Sequence, residues 1–261
     1  MPNIVVLVKQ VPDTYSERKL TEGDYTLDRD SADAVLDEIN ERAVEEALLL
    51  KEAQGGEVTV LSVGPDRASE AIRKALSMGA DQAVHVSDPA LHGADVFQTA
   101  KVIAAAVGRL DGIDLVIAGN EASDGGGGAV PAILAELLGY PQLTHARKVE
   151  LDGSTVKVDR ETDDGITHLE AGLPAVISVG EKINEPRYPS FKGIMAAKKK
   201  PVETLTVADL GIDAGEVGLA AAASAVTEAA PKPPRSAGQR VADEGDGGAQ
   251  IAAYLVSQKL I

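Results

Sequence analysis

The chain has 261 residues, a formal net charge of −16 and no cysteine. Its 44% hydrophobic content can fill a sizeable core, and with aromatics at only 3% that core must be built from Val, Ile, Leu and Ala. The lack of cysteine excludes disulfides, thiolate metal sites and cysteine nucleophiles and suits a reducing compartment, while the acidity argues against nucleic acid as a main partner.

The opening Met-Pro-Asn-Ile-Val-Val-Leu-Val is too briefly apolar for a signal peptide and lacks a basic leader, and no run reaches the length of a membrane span. A soluble, cytoplasmic protein without membrane insertion is therefore expected. Residues 4–8 read as a strand, followed by a polar segment through Asp30. A helix is predicted over about 40–53, with Ala43, Ala47 and Leu50 on one face and Gly55-Gly56 ending it. On this helix Glu45 and Glu46 are expected to face solvent. Residues 58–63 form the next strand. Asp66 is expected to cap a helix that stacks Ile72 on Leu76 and stops at Gly79. A strand at 83–86, a helix at 95–108 and a strand at 115–118 complete the first half.

Short apolar strands separated by amphipathic helices imply βαβ units, hence an α/β, Rossmann-like parallel sheet with helices on both faces. Beyond Gly139 the pattern becomes a β-meander at 143–151, 155–160 and 166–170, turning at Asp152-Gly153 and Asp164-Gly165. Residues 175–179 return to the buried type of strand. After about residue 205 the composition shifts to Ala-rich, Pro-rich and Gly-rich stretches. The expected organisation is one α/β domain over 1–205 and a partly flexible C-terminal arm over 206–261, with helical spacing recovered only near 251–260.

Two segments carry candidate chemistry. In the first, the strand ending near Gly119 runs into Asn120-Glu-Ala-Ser-Asp-Gly-Gly-Gly-Gly-Ala129 and then an apolar helix with Pro131 in its first turn. Strand, Gly-rich loop and helix start form a recurring anion site, because glycines admit a phosphate and free N–H groups point at it. The spacing matches neither a dinucleotide fingerprint nor a P-loop, and an empty loop tip would have the same composition. Position favours ligand binding, since carboxyl ends of parallel strands are where such sheets bind.

The second segment is Asn184-Glu-Pro-Arg-Tyr-Pro-Ser-Phe191, leading to Ile194-Met195 and Lys198-Lys199-Lys200. Between Lys182 and Lys200 the acid is Glu185 alone, a local reversal of sign in an acidic chain. A proline-stiffened loop running into a Lys-tipped helix is compatible with ordinary surface and equally with a docking element built on exposed rings. No catalytic constellation is visible. The four histidines are scattered, and the acids around Arg160 read as a solvated hairpin edge. A carrier or binding subunit, not an enzyme, is expected.

These motifs converge. Val8-Lys9-Gln10-Val11-Pro12-Asp13, Ala43-Val-Glu-Glu-Ala47, Met78-Gly-Ala-Asp81, Val158-Asp-Arg160 with Asp163-Asp-Gly165, Leu173-Pro-Ala-Val176 and the whole Asn184–Lys200 segment make the chain resemble the β subunit family of electron transfer flavoprotein, to about Gly211. The resemblance implies an adenine-nucleotide-hydrolase-like sheet and an obligate heterodimer with an α subunit, FAD lying mainly on that subunit and a structural AMP on this one. It places AMP contacts at Leu7, Asp37, Glu38, Ile39, Asn40, Val63, Gly119, Asn120, Asp124, Gly125, Gly126, Gly127, Gly128, Ala129 and Val130, with Thr14 and Ile39 near the flavin. It makes Arg187, Tyr188, Phe191, Ile194, Met195, Lys198, Lys199 and Lys200 the docking surface for acyl-CoA dehydrogenases and other flavin dehydrogenases, with Phe191 in the place of an apolar anchor that is usually Leu. Glu161 matches a tether for the mobile flavin domain, the arm would pack on the α subunit, and electrons would pass on to a quinone reductase. The chain departs from the family at Gly125–Gly128, where Asp-rich sequence is common, so backbone N–H groups would replace side chains at the phosphate. A second flavin in place of AMP also occurs in the family. The other readings are a nucleotide-binding regulatory homodimer of the stress-protein type and an ATP-pyrophosphatase-like enzyme, whose Ser-Gly-Gly loop after the first strand is missing here.

Overall fold

Strict alternation in the first strand, β1 (Asn3–Leu7), sets the layering of the molecule. Ile4 and Val6 enter one apolar cluster and Val5 and Leu7 the opposite one, so both faces of the strand are covered. The computed structural model describes residues 1–234, 238 and 240–261; residues 235–237 and 239 of the expected arm lie outside the described residues.

After β1 the chain forms β2 (Gln10–Pro12) and β3 (Ala34–Leu36), then α1 (Glu38–Gln54), β4 (Glu57–Val63), α2 (Ser69–Met78) and β5 (Gln82–Val86). α3 (Val96–Val107), β6 (Leu115–Gly119) and α4 (Val130–Leu138) follow. The meander is β7 (Gln142–Asp152), β8 (Thr155–Thr162) and β9 (Gly165–Gly172), and β10 (Ala175–Val179), α5 (Phe191–Ala197) and β11 (Val202–Leu205) complete the sheet region. The main sheet runs β11-β5-β4-β1-β6-β10-β7-β8-β9, parallel from β11 through β7 and antiparallel thereafter. α1 and α2 cover one face, α3 and α4 the other. This is the expected α/β fold, with the meander extending the same sheet.

Some local expectations change. α1 begins at Glu38, because the buried Asp37 caps it. Asp66 does not cap α2; a 3₁₀ turn over Asp66–Ala68 intervenes, and Asp66 instead accepts from the Ser87 hydroxyl at 2.7 Å. The first hairpin turns at Gly153-Ser154, one residue later than read, with Asp152 paired to Thr155. The short β2–β3 ribbon and edge strand β11 had no counterpart in the sequence reading.

Contacts divide the chain into Met1–Val226 and Thr227–Ile261. In the first unit Val207, Ile212 and Val217 are buried against the α3 side of the sheet, which extends the packed region beyond residue 205. The second unit contains α6 (Gly247–Ser257), which has no buried residue and exposes Ile251, Tyr254 and Val256.

Candidate functional site

β1 pairs with β4 on one side and β6 on the other, so the chain leaves their carboxyl ends in opposite directions and opens a crevice. Leu7, Val63 and Gly119 end these three strands. Asp37 closes the crevice from the α1 side. Its Oδ1 accepts from the Ile39 and Asn40 amides at 3.0 and 3.1 Å, and its Oδ2 accepts from the Ser123 amide at 2.7 Å. One carboxylate thus caps the helix dipole and holds the Gly-rich loop. Asn40 Oδ1 accepts from the Lys9 amide at 2.8 Å. A Cβ on Gly119 would lie 2.6 Å from Asn40 Nδ2 and 3.0 Å from Ile39 Cγ2, so the close approach of β6 to α1 requires glycine. Glu38, in the same turn, points to solvent.

Across the crevice, the Asn120 amide donates to Val179 O at 2.9 Å, and the Gly126 amide to Ala122 O at 2.8 Å. The amides of Gly127, Gly128, Ala129 and Val130 have no acceptor among the described residues, and they lead straight into the first turn of α4. Gly126 and Gly128 have φ of 58° and 61°, which favours glycine at both. Asn120 Oδ1 and Ser123 Oγ are buried without a partner among the described residues. Such orphans carry a desolvation cost that a ligand hydroxyl or amino group would remove.

Asp124 turns inward from the loop, its side chain only 2% exposed, and pairs with Lys9 Nζ at 2.8 Å and Arg29 Nη1 at 3.3 Å. Burial raises its pKa, but the charges of Lys9 and Arg29 outweigh burial and hold the carboxyl below its ordinary range. Neither cation was identified from sequence. Two cations around one carboxylate, free amides at a helix start and unpartnered acceptors together fit a phosphate-bearing, hydroxyl-rich ligand. Thr14 lies exposed in the loop beyond β2, and Ile39 is buried at the base of α1.

A second surface lies on the α1–α2 side. Ser190 caps α5, its Oγ accepting from the Gly193 amide at 3.0 Å. Tyr188 and Phe191 are 96% and 81% exposed, and Ile194 and Met195 are exposed beside them. Next to these rings a groove of about 590 Å³ is lined by Pro189, Ile194, Ala197, Lys198 and the α2 residues Arg73, Lys74 and Ser77. A Cβ on Gly193 would sit 2.4 Å from Ser77 O, so glycine lets α5 lie directly on the end of α2.

The basic residues of this segment divide into two sets. Lys192, Lys198 and Lys199 are exposed and make no ion pair among the described residues. Lys200 Nζ instead donates to Leu76 O at 3.0 Å and Ala80 O at 2.5 Å, closing the end of α2, and burial lowers its pKa. Arg187 also turns inward. Its Nε and Nη2 donate to Glu45 at 2.8 and 2.9 Å, and its Nη1 donates to Glu52 at 2.5 Å. Glu45 and Glu46 are therefore not solvent-facing as expected but 5% and 7% exposed, because the 184–187 loop covers them. Spacing held the signal for Glu46, which lies three residues from Ala43 and four from Leu50 on the core-facing side of α1.

Glu161 sits on β8 between Lys182 at 3.4 Å and Arg147 at 3.7 Å. His85 is buried against Gly64 O, and His92 and His168 pair with Asp24 and Asp159 at the surface. No group of acids and histidines suited to a metal occurs among the described residues, and no helix among them is long and apolar enough to cross a membrane.

Comparison with known proteins accords with this geometry. Residues 24–210 match the electron transfer flavoprotein domain family. The chain is 65% identical to the electron transfer flavoprotein subunit beta of Mycobacterium tuberculosis and 63% identical to that of Mycobacterium leprae, each over 100% of both chains. It is also 34% identical to the caffeyl-CoA reductase-Etf complex subunit CarD of Acetobacterium woodii, over 98% of this chain and 97% of that one. With the electron transfer flavoprotein domain matched over residues 24–210 and these relatives matched over their whole length or nearly so, the chain belongs to the electron transfer flavoprotein family as a β subunit.

Proposed function

We propose that this chain pairs with an electron transfer flavoprotein α subunit and that the pair carries electrons from flavin dehydrogenases, acyl-CoA dehydrogenases among them, toward a quinone reductase. The β chain has no catalytic role of its own in this reading. It binds AMP in the β1–β6 crevice, shapes one wall of an FAD site held mainly by the α subunit, and presents the docking loop. FAD, when bound, supplies the electron-carrying chemistry; the contribution of Thr14 and Ile39 is to line its approach on this side.

The AMP reading is supported by the unpaired amides of Gly127–Val130 and the orphaned Asn120 Oδ1 and Ser123 Oγ. Backbone N–H groups, with Lys9 and Arg29 nearby, stand in for the side chains that the Gly-rich loop lacks. Glu161, held between two cations on the β8 edge, is proposed as the tether for the flavin domain. The exposed apolar residues of α6 are proposed to pack on the α subunit.

The observation that carries the carrier reading is the pair of rings at Tyr188 and Phe191, held out by Pro186, Pro189 and the Ser190 cap on a face edged by free lysines. Phe191→Ala in the co-expressed complex should raise the donor KM about ten-fold, since truncating an interface anchor costs about 1–2 kcal/mol. The flavin absorbance should not change. Unchanged donor kinetics would remove the docking role, and a colourless homodimer on co-expression would remove the carrier reading itself.

A further inference from the structure

The docking loop has a built foundation. The backbone amide of Arg187 donates to Glu45 Oε2 at 3.1 Å, and its guanidinium spans Glu45 and Glu52, two turns apart on α1. One residue set earlier in the loop, Asn184 Nδ2 donates to Glu46 Oε2 at 3.0 Å and to Arg42 O at 3.1 Å, while Arg42 Nη1 donates back to Asn184 O. Main chain and side chains on both flanks of Pro186 are thus bound to one face of one helix. Tyr188 follows Arg187 directly and is almost wholly exposed.

We propose that Arg187 and Glu45 are positioning residues, which fix the loop on α1 so that Tyr188 and Phe191 are presented in one pose, and that Arg187 does not itself meet the donor. This rests on the reading of residues 184–200 as the docking surface. The chemistry favours it. A guanidinium with its Nε and Nη groups engaged by two carboxylates has little capacity left for a partner's acid, and its positive charge is cancelled locally. Glu45, covered by the loop, has no route to a partner at all. Holding a loop in its bound conformation improves docking by lowering the ordering cost of association.

The test uses the intact, flavin-loaded complex with the variants Glu45→Gln, Arg187→Lys and the pair combined. Arg187→Lys keeps the charge but loses the planar fork that binds Glu45 through two nitrogens while a third reaches Glu52, so a charge contact with the donor would survive it while the clamp would be weakened. Glu45→Gln and Arg187→Lys should each raise the donor KM about five- to ten-fold with kcat at saturating donor unchanged, and the double variant should be little worse than either, as expected for one shared interaction. Amide exchange at Arg187 and through residues 184–195 should quicken in both, with exchange in β1 and β6 unaltered. Unchanged exchange in Glu45→Gln would overturn the clamp. Donor effects confined to Arg187 variants and additive with Glu45→Gln would make Arg187 a contact residue. Faster exchange in both variants with donor kinetics unaltered would overturn the positioning role, and the docking reading would fall with it only if Phe191→Ala also left those kinetics unaltered.

Discussion

Asp124 is the residue whose role changed most between sequence and structure. In the chain it stands at the head of four glycines, where it reads as a loop acid offered to a ligand. In the fold it is buried and faces Lys9 and Arg29, 115 and 95 positions away, so no local pattern could reveal its partners. Its role is to tie the Gly-rich loop to the end of β1 and to the arm between β2 and β3. The sign of its pH dependence follows from its lowered folded-state pKa. That contribution is fully present above the unfolded carboxylate pKa of about 3.9 and is lost as pH falls through the lower folded value. Asp124→Asn should therefore destabilise the protein by about 1–3 kcal/mol at pH 7, because it removes the negative charge that two cations share and leaves a single acceptor oxygen between them. Urea melts at pH 7 and in strong acid would check this: the gap between variant and parent should close as the parent's own carboxyl protonates. A gap that persists undiminished in acid would mean that packing, not charge, is what Asp124 supplies.

At the scale of the element, α1 organises both surfaces. Its capping acid holds the Gly-rich loop, and its middle turns hold the proposed docking loop. Apolar spacing was enough to find the helix and its Ala43, Ala47 and Leu50 face, and the Gly55-Gly56 stop was correct. What spacing alone could not supply was the loop that returns from residue 184 to cover Glu45 and Glu46. The same limit explains β11 and the β2–β3 ribbon, whose few residues become strands only because tertiary partners lie alongside. Neighbouring glutamates on α1 should then behave in opposite ways. Glu46 has a raised pKa, chiefly from burial and further from the charge of Glu45, with the Asn184 hydrogen bond pulling the other way. A raised carboxyl contributes stability below its unfolded pKa and loses it as pH rises through the folded value, so at pH 7 the ionised form is a burden. Glu46→Gln removes that burden and still offers Asn184 an acceptor. Its thermal midpoint at pH 7 should equal or exceed the parent's, whereas Glu45→Gln, which breaks a carboxylate–guanidinium pair, should lower it. A fall for Glu46→Gln as large as that for Glu45→Gln would show that Glu46 is held ionised by partners.

For the whole molecule, the alternation of strands and helices was sufficient to give the parallel sheet, because each short apolar run is buried on both faces and each helix spans the return. The charge distribution was readable too, but only as a count, and the fold changes that count. Of the basic residues that set the 182–200 segment apart, Arg187 and Lys200 are spent inside the molecule, and Lys182 faces Glu161. The field at the proposed docking face therefore comes from Lys192, Lys198 and Lys199, with the exposed Arg73 of α2 beside them bonded only to backbone carbonyls, set against a chain carrying −16. An acidic donor surface would be repelled from most of this protein and attracted at that face, so charge should orient the encounter before the rings engage. Stopped-flow association with a donor dehydrogenase should slow about ten-fold or more as salt rises from 0.02 to 0.5 M, since such steering is screened over a Debye length. Replacing Lys192, Lys198 and Lys199 together by Gln should reproduce most of that loss at low salt and flatten the salt dependence. Arg187→Lys should instead leave the slope as it is while weakening the complex through faster dissociation, because its charge is already cancelled by Glu45 and Glu52. An association rate indifferent to salt in the parent would show that the lysines do not steer, and the rings alone would then have to account for recognition.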